Sequence, residues 1–184
     1  FITLLSFNTF SNSLRIGMVT DVGGVNDQSF NQSAWEGLQK AKKELGIKPS
    51  YQESKQDADY PTNLETLLDS KNDLIWGIGF KMADAILYQA RMNPNQRYAI
   101  IDYSYGDKTP KNVVGVMFKA EEPSFLAGYI AAKMSKSGTI GFVGGMSVPI
   151  IHSFQYGFKA GAKHANPKIV ILEQYAESFT DAAK

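Results

Sequence analysis

The feature that most narrows what this chain can fold into is an alternation. Short apolar, strand-like runs take turns with longer stretches whose apolar positions recur every three to four residues. LRIGMVT, Leu14–Thr20, has the character of a strand buried on both faces. Ser29–Leu45 follows with Ala34, Leu38, Ala41 and Leu45 on one helical face, and Gly46 is placed to stop the helix. Strands are expected at Ile47–Ser54, Asp73–Gly79, Arg97–Asp102 and Asn112–Met117. A helix starting at Pro61 or Thr62 carries Leu64, Leu67 and Leu68, and one at Met82–Met92 buries Ile86, Leu87 and Ala90. The alternation resumes with a helix at Glu121–Ser135 and a strand at Thr139–Gly144. A helix at Val148–Ala165, with Ile151, Phe154, Phe158 and Ala162 inward, and a strand at Lys168–Gln174 complete it. A further helix begins at Thr180 or Asp181. Strands and helices joined in this way by short loops predict an α/β fold with parallel sheets wrapped by helices.

Composition removes several classes of function. The 184 residues are 43% hydrophobic and 20% charged, which suits one large domain or two small ones rather than a disordered chain. The net charge of +1, with both signs interspersed, gives no basic footprint for nucleic acid. The absence of cysteine excludes disulfides, thiolate metal sites and a cysteine nucleophile. His152 and His164 lie far apart on one helical stretch and read as packing or surface groups, so no metal site is expected. No run reaches the ~20 apolar residues of a membrane-spanning helix. FITLLSFNTFSNS, residues 1–13, reads either as the tail of a secretory signal or as an ordinary leading strand.

In an open parallel sheet, ligands bind beyond the carboxyl ends of the strands. Those ends carry Asp21, Asp27, Phe30 and Asn31 after the first strand, and Gly79, Phe80 and Lys81 after the third. Asp102 and Tyr103 follow the fourth, and Gly144, Gly145 and Met146 follow the strand at Thr139. This is not a phosphate cradle. VGGVND lacks the glycine spacing of a dinucleotide fingerprint, no Walker-type loop occurs, and two aspartates would repel a pyrophosphate. Carboxylates beside an aromatic plate suit a neutral ligand rich in donors, such as a ribose or a base. Each residue also has a plainer reading. Asp27 serves as a helix cap, Asp21 as an acceptor for loop amides, and Phe30 as a hydrophobic staple to Ala34. The glycosylation triplet at Asn31 reads as chance, and Trp35 and Trp76 as core. Asp102 is the strongest functional candidate by position. No nucleophile elbow, Ser/His/Asp order or paired carboxylates point to an enzyme.

The string VTDVGGVNDQSFNQSAWEGL resembles the opening of the basic membrane protein family, which includes the purine nucleoside receptor lipoproteins, the solute-binding parts of ABC-type nucleoside importers. NDLIWGIGF, RYAIIDY, FKAEEPSFLAGYIAAKMSKSGTIGFVGGM and FQYGFKAGAKHANPKI agree in order, from about Leu14 to Phe179. The resemblance implies a type I periplasmic-binding fold with two hinged α/β lobes: 14–117, and 118–184 as the truncated first part of the second, after a signal-like segment 1–13. It implies no enzyme and no cofactor. The ligand is a purine nucleoside (guanosine, inosine or adenosine), and the partner is an ABC transporter permease. The intact protein is expected outside the cytoplasm as a membrane-attached lipoprotein, although this chain has no cysteine to carry the lipid. Phe30 would stack on the purine, Asp21 and Asn31 would bond the base edge, and Asp102 would approach the ribose. Phe80 and Tyr103 would add contacts, Gly145 and Met146 would line the cleft from the second lobe, and Asp27 and Trp35 would stand behind. The family's second aromatic plate, ribose aspartate and basic residue fall outside what can be assigned here. A binding protein for another small solute, such as a sugar or signalling molecule, and an intracellular regulatory member of the family are the alternative readings.

Overall fold

A computed structural model describes residues 13–179 and 181. The expected segment 1–13, but for its last residue, and the helix expected from Thr180 or Asp181, but for Asp181 itself, lie outside the described residues. The chain forms two compact units that part between Val116 and Met117.

The first unit is a five-stranded, all-parallel sheet in the order β2-β1-β3-β4-β5. Its strands are β1 (Arg15–Val19), β2 (Lys48–Gln52), β3 (Leu74–Gly77), β4 (Arg97–Ile101) and β5 (Val113–Val116). Three helices connect them: α1 (Phe30–Leu45), α2 (Tyr60–Asp69) and α3 (Ala83–Met92). Strand register decides which helix covers which face. Tyr51, Met18 and Trp76 align across β2, β1 and β3, and α1 lies on their side, its Trp35 edge-on to Tyr51 at 4.8 Å between ring centres. Gly17 and Gly77 point the other way. Their missing Cβ atoms admit Leu67 of α2 and Ile86 of α3, which are fully buried there. The core on that side is Val19, Leu64, Leu67, Ile75, Ile86, Tyr98 and Ile100.

Each helix end has a local cause. Pro61 sits in the first turn of α2. Gly46 ends α1 in the left-handed conformation, φ 68°, its N–H bonded to the Lys42 carbonyl. Leu45, expected on the inner face of α1, is 76% exposed; it is the helix's last residue, next to the left-handed Gly46 cap. A cavity of about 200 Å³ opens between α1 and the sheet, lined by Met18, Ala34, Gly37, Leu38, Trp76, Ile78 and Ile101. None of those side chains but the Trp76 indole offers a hydrogen bond, so this is a gap in packing rather than a polar ligand site.

The second unit pairs β6 (Thr139–Gly144) and β7 (Val170–Tyr175) in parallel, with α4 (Glu121–Met134) and α5 (Pro149–Ala165) on one face. The two helices touch backbone to backbone. A Cβ on Gly128 of α4 would enter the Phe158 carbonyl, and Cβ atoms on Gly157 and Gly161 of α5 would enter the carbonyls of Glu121 and Phe125. Ala132, Ala162 and Ile169 form the small core beneath, with Ile140 and Ile171 against it. A polar chain ties α5 to β7. Tyr175 Oη donates to Gln155 Oε1 (2.8 Å), Gln155 Nε2 donates to Glu173 Oε2 (2.6 Å), and Lys159 pairs with Glu173. Phe154, expected on the inner face of α5, lies instead beside the close contact with α4. It is 38% exposed, while its backbone carbonyl accepts the Ser124 hydroxyl. Among the described residues no helix is long and apolar enough to cross a membrane.

Candidate functional site

Strand order locates the site of interest in the first unit. The chain leaves β1 toward β2 on one side and later enters β3 on the other, so the loops after β1 and β3 diverge and open a crevice between them. The loop after β1, Asp21–Ser29, is held by its own carboxylates. Asp27 Oδ1 accepts the amides of Ser29 (2.9 Å) and Gln32 (3.1 Å), and its Oδ2 accepts that of Asn31 (2.9 Å). Ser29, next to α1, makes no side-chain cap, so Asp27 satisfies the helix's free amides from two residues upstream. Burial opposes its charge, but these bonds, with one from the Asn31 side chain, outweigh burial and hold its carboxyl below the usual range.

Asn31 is the brace of the loop. It is 1% exposed. Its side-chain amide donates to Asp21 Oδ1 (2.7 Å) and Asp27 Oδ2 (3.0 Å), and its carbonyl oxygen accepts the Asp21 amide (3.3 Å). Asp21 Oδ1 also accepts the Gly23 amide (2.9 Å). Amides that would greet a phosphate are therefore already taken by the protein's own acids. Asn31, expected at the base edge, spends its side chain here on Asp21 and Asp27.

The other Asp21 oxygen, Oδ2, accepts no hydrogen bond from the described residues. It lies beside Phe30 and the backbone of Gly79. A Cβ on Gly79 would stand 3.5 Å from Phe30 Cε1 and 3.9 Å from Asp21 Oδ2. Gly79 has φ 106°, which favours glycine there. Phe80, half-buried, opens the turn of 3-10 helix that follows, Phe80–Met82. An aromatic edge, a bare stretch of backbone and an open carboxylate oxygen thus meet at the crevice. Trp35 lies apart from them, on Tyr51.

Asp102 follows β4 in a strained backbone conformation. It has φ 62°, in the left-handed region, while its amide donates to the Val116 carbonyl (2.9 Å). The half-buried side chain has no hydrogen-bond partner among the described residues, and burial pushes its carboxyl above the ordinary value. Tyr103 follows, edge-on to Tyr105 at 4.9 Å. Its carbonyl passes so close over Gly115 that a Cβ there would collide with it.

In the second unit, Gly145 and Met146 form the turn after β6. The Gly145 carbonyl accepts the Ser178 amide (2.9 Å), and a Cβ on Gly145 would enter the ring of Phe179. Phe179 is 51% exposed at the carboxyl end of β7. Sequence reading passed over it, since a lone Phe in YAESF carries no periodic signal. Glu53 was passed over too. It donates nothing but receives the Val25 amide at 2.7 Å, from the far side of the loop. His152 bonds Ser147 (3.1 Å), and His164 packs on Phe125 and Tyr129. Among the described residues no three acidic or histidine side chains gather to hold a metal.

A parallel α/β sheet with carboxylates and an aromatic at its switch point is the architecture of solute-binding proteins, and the solved structures agree. A solute-binding protein of an ABC transporter system from Aeropyrum pernix K1 superposes with a TM-score of 0.78 at 29% identity, covering 88% of this chain and 47% of that one. Residues 15–184 match the Bmp family, ABC transporter substrate-binding protein PnrA-like, and the chain belongs to that family. It is a family of substrate-binding proteins, not of enzymes. Basic membrane protein A of Borreliella burgdorferi is 46% identical over 168 residues, 91% of this chain and 49% of that protein. The ABC transporter nucleoside-binding protein BmpA of Lactococcus lactis is 43% identical over 175 residues, 93% of this chain and 49% of that one. The chain thus spans about half the length of these relatives.

Proposed function

We propose that this chain carries the purine-nucleoside-binding face of an ABC importer's solute-binding protein, working outside the cytoplasm against a membrane permease. The observation that carries the reading is the Asp21 carboxylate. One oxygen is fixed by Asn31 and Gly23, and the other is open beside the Phe30 ring. A carboxylate locked in this way accepts from a purine N–H without first losing rotamer freedom, while the ring offers a face or edge to the base. Asp102, half-buried and without a side-chain partner among the described residues, accepts from ribose hydroxyls, whose donors offset its desolvation. Phe80 and Tyr103 wall the strand ends, Asn31 and Asp27 hold Asp21, and Gly145, Met146 and Phe179 are the second unit's own candidates. The nucleoside-binding relative from Lactococcus supports the ligand class.

Calorimetric titration with guanosine, inosine, adenosine and ribose tests it, on the unaltered chain and on Asp21→Ala and Phe30→Ala. Binding of a purine nucleoside but not ribose is expected, with each substitution weakening it by at least about tenfold, the loss of one buried hydrogen bond or stacking contact. No nucleoside binding by the unaltered chain, or unchanged affinity in both variants, overturns the assignment. Equal affinity for ribose would move it to a sugar.

A further inference from the structure

The loop after β1 is braced from within by Asp21, Asp27 and Asn31, but its outer limb, Gly23–Val25, is secured from another element. Glu53 stands one residue past β2 and receives the Val25 amide on Oε1 at 2.7 Å. Val25 itself is buried, so its amide position is the loop's anchor in the core. Gly24 has φ 69°, and a Cβ there would lie 3.0 Å from the same Glu53 oxygen. The glycine thus lets the carboxylate approach. Glu53 is in turn held in place. Asn63 of α2 donates to the Glu53 carbonyl (3.1 Å) and to the buried Ser54 hydroxyl (2.9 Å). The Thr20 amide extends the β1–β2 pairing to the Gln52 carbonyl (3.0 Å). A continuous set of contacts therefore runs from α2 through the end of β2 to the limb that begins at Asp21.

We infer that Glu53 is a positioning residue for the ligand loop: its carboxylate clamps the Val25 amide so that Gly23, and with it the Asp21 carboxylate, keeps its setting beside Phe30. A residue outside the loop is needed for this. The internal braces fix Asp21 to α1 and tie the Gly23 and Gly24 amides back to Asp21, whereas the Val25 amide is held by Glu53, and glycines at 23 and 24 resist opening of the limb least. The inference rests on the nucleoside reading for its effect on affinity, and on geometry alone for the clamp.

The test compares the unaltered chain with Glu53→Ala and Glu53→Gln, using amide hydrogen exchange and guanosine calorimetry. Alanine is expected to speed exchange of the Val25 amide about tenfold and weaken guanosine by about tenfold, the loss of one hydrogen bond. The β4 amides should keep their protection, showing an intact fold. Glutamine retains an acceptor oxygen and restores both. A Val25 amide still protected in the alanine variant overturns the clamp. Lost protection with unchanged guanosine affinity overturns its role in positioning. If the unaltered chain takes no guanosine, the nucleoside reading fails by itself, and the exchange arm alone decides the clamp.

Discussion

Asp102 offers the sharpest test of whether the site was shaped against stability. Its backbone sits at φ 62° and its half-buried carboxylate has no partner among the described residues. A left-handed non-glycine residue costs about 1–2 kcal/mol, and glycine's greater freedom in the unfolded chain returns about 0.5–1 kcal/mol of that. Asp102→Gly should therefore stabilise the chain by about 0.5–1 kcal/mol, a rise of about 1–4 °C in Tm for a protein of this size. Asp102→Asn keeps the backbone strain and removes the charge. Since burial raises the folded carboxyl above 3.8, the folded protein holds this proton more tightly than the unfolded one. Wild-type stability then falls as pH rises from about that value through the folded pKa, and the loss persists at neutral pH. The asparagine variant escapes it. Thermal denaturation at pH 3 and pH 7 reads the difference: Asp102→Asn should match the wild type at pH 3 and exceed it at pH 7. Both variants should lose nucleoside affinity. A destabilised glycine variant, or an asparagine variant less stable at pH 7, would mean that Asp102 has a stabilising partner and that the reasoning is wrong.

Two further outcomes are expected. Gly161→Ala forces α5 off the Phe125 carbonyl and should destabilise the second unit by about 2–3 kcal/mol or more by overpacking; in a denaturant titration, an unchanged midpoint would refute the backbone contact. Asp27→Ala should remove about 1–2 kcal/mol by uncapping α1. The folded pKa of Asp27 is depressed, so its contribution is present above about 3.8 and lost as pH falls through the lower folded value. The gap between variant and wild type in Tm should accordingly close toward pH 2.

Much of the site was legible because it lies in one local string. Asp21, Asp27, Phe30 and Asn31 fall within a single strand–loop–helix passage, where spacing alone implies that acids and an aromatic share a turn. What each does was not legible. Asn31 was expected to bond the base edge, and nothing in the spacing foretold the three bonds it makes to Asp21 and Asp27. Phe154 and Leu45 carried the helical periodicity of inner residues yet stand exposed, because periodicity marks a face and not what is packed against it.

By itself the sequence determined the alternation of strands and helices, the helix stop at Gly46, the helix start at Pro61, and the acids at strand ends, since these follow from backbone propensity and local spacing. The strand order that opens a crevice between β1 and β3 was decided by tertiary structure. So were the Glu53–Val25 contact, the left-handed turn at Asp102 and the glycine contacts between α4 and α5. Each of these joins residues remote in the chain, or a backbone angle imposed by such neighbours, and no local period encodes which distant group will arrive.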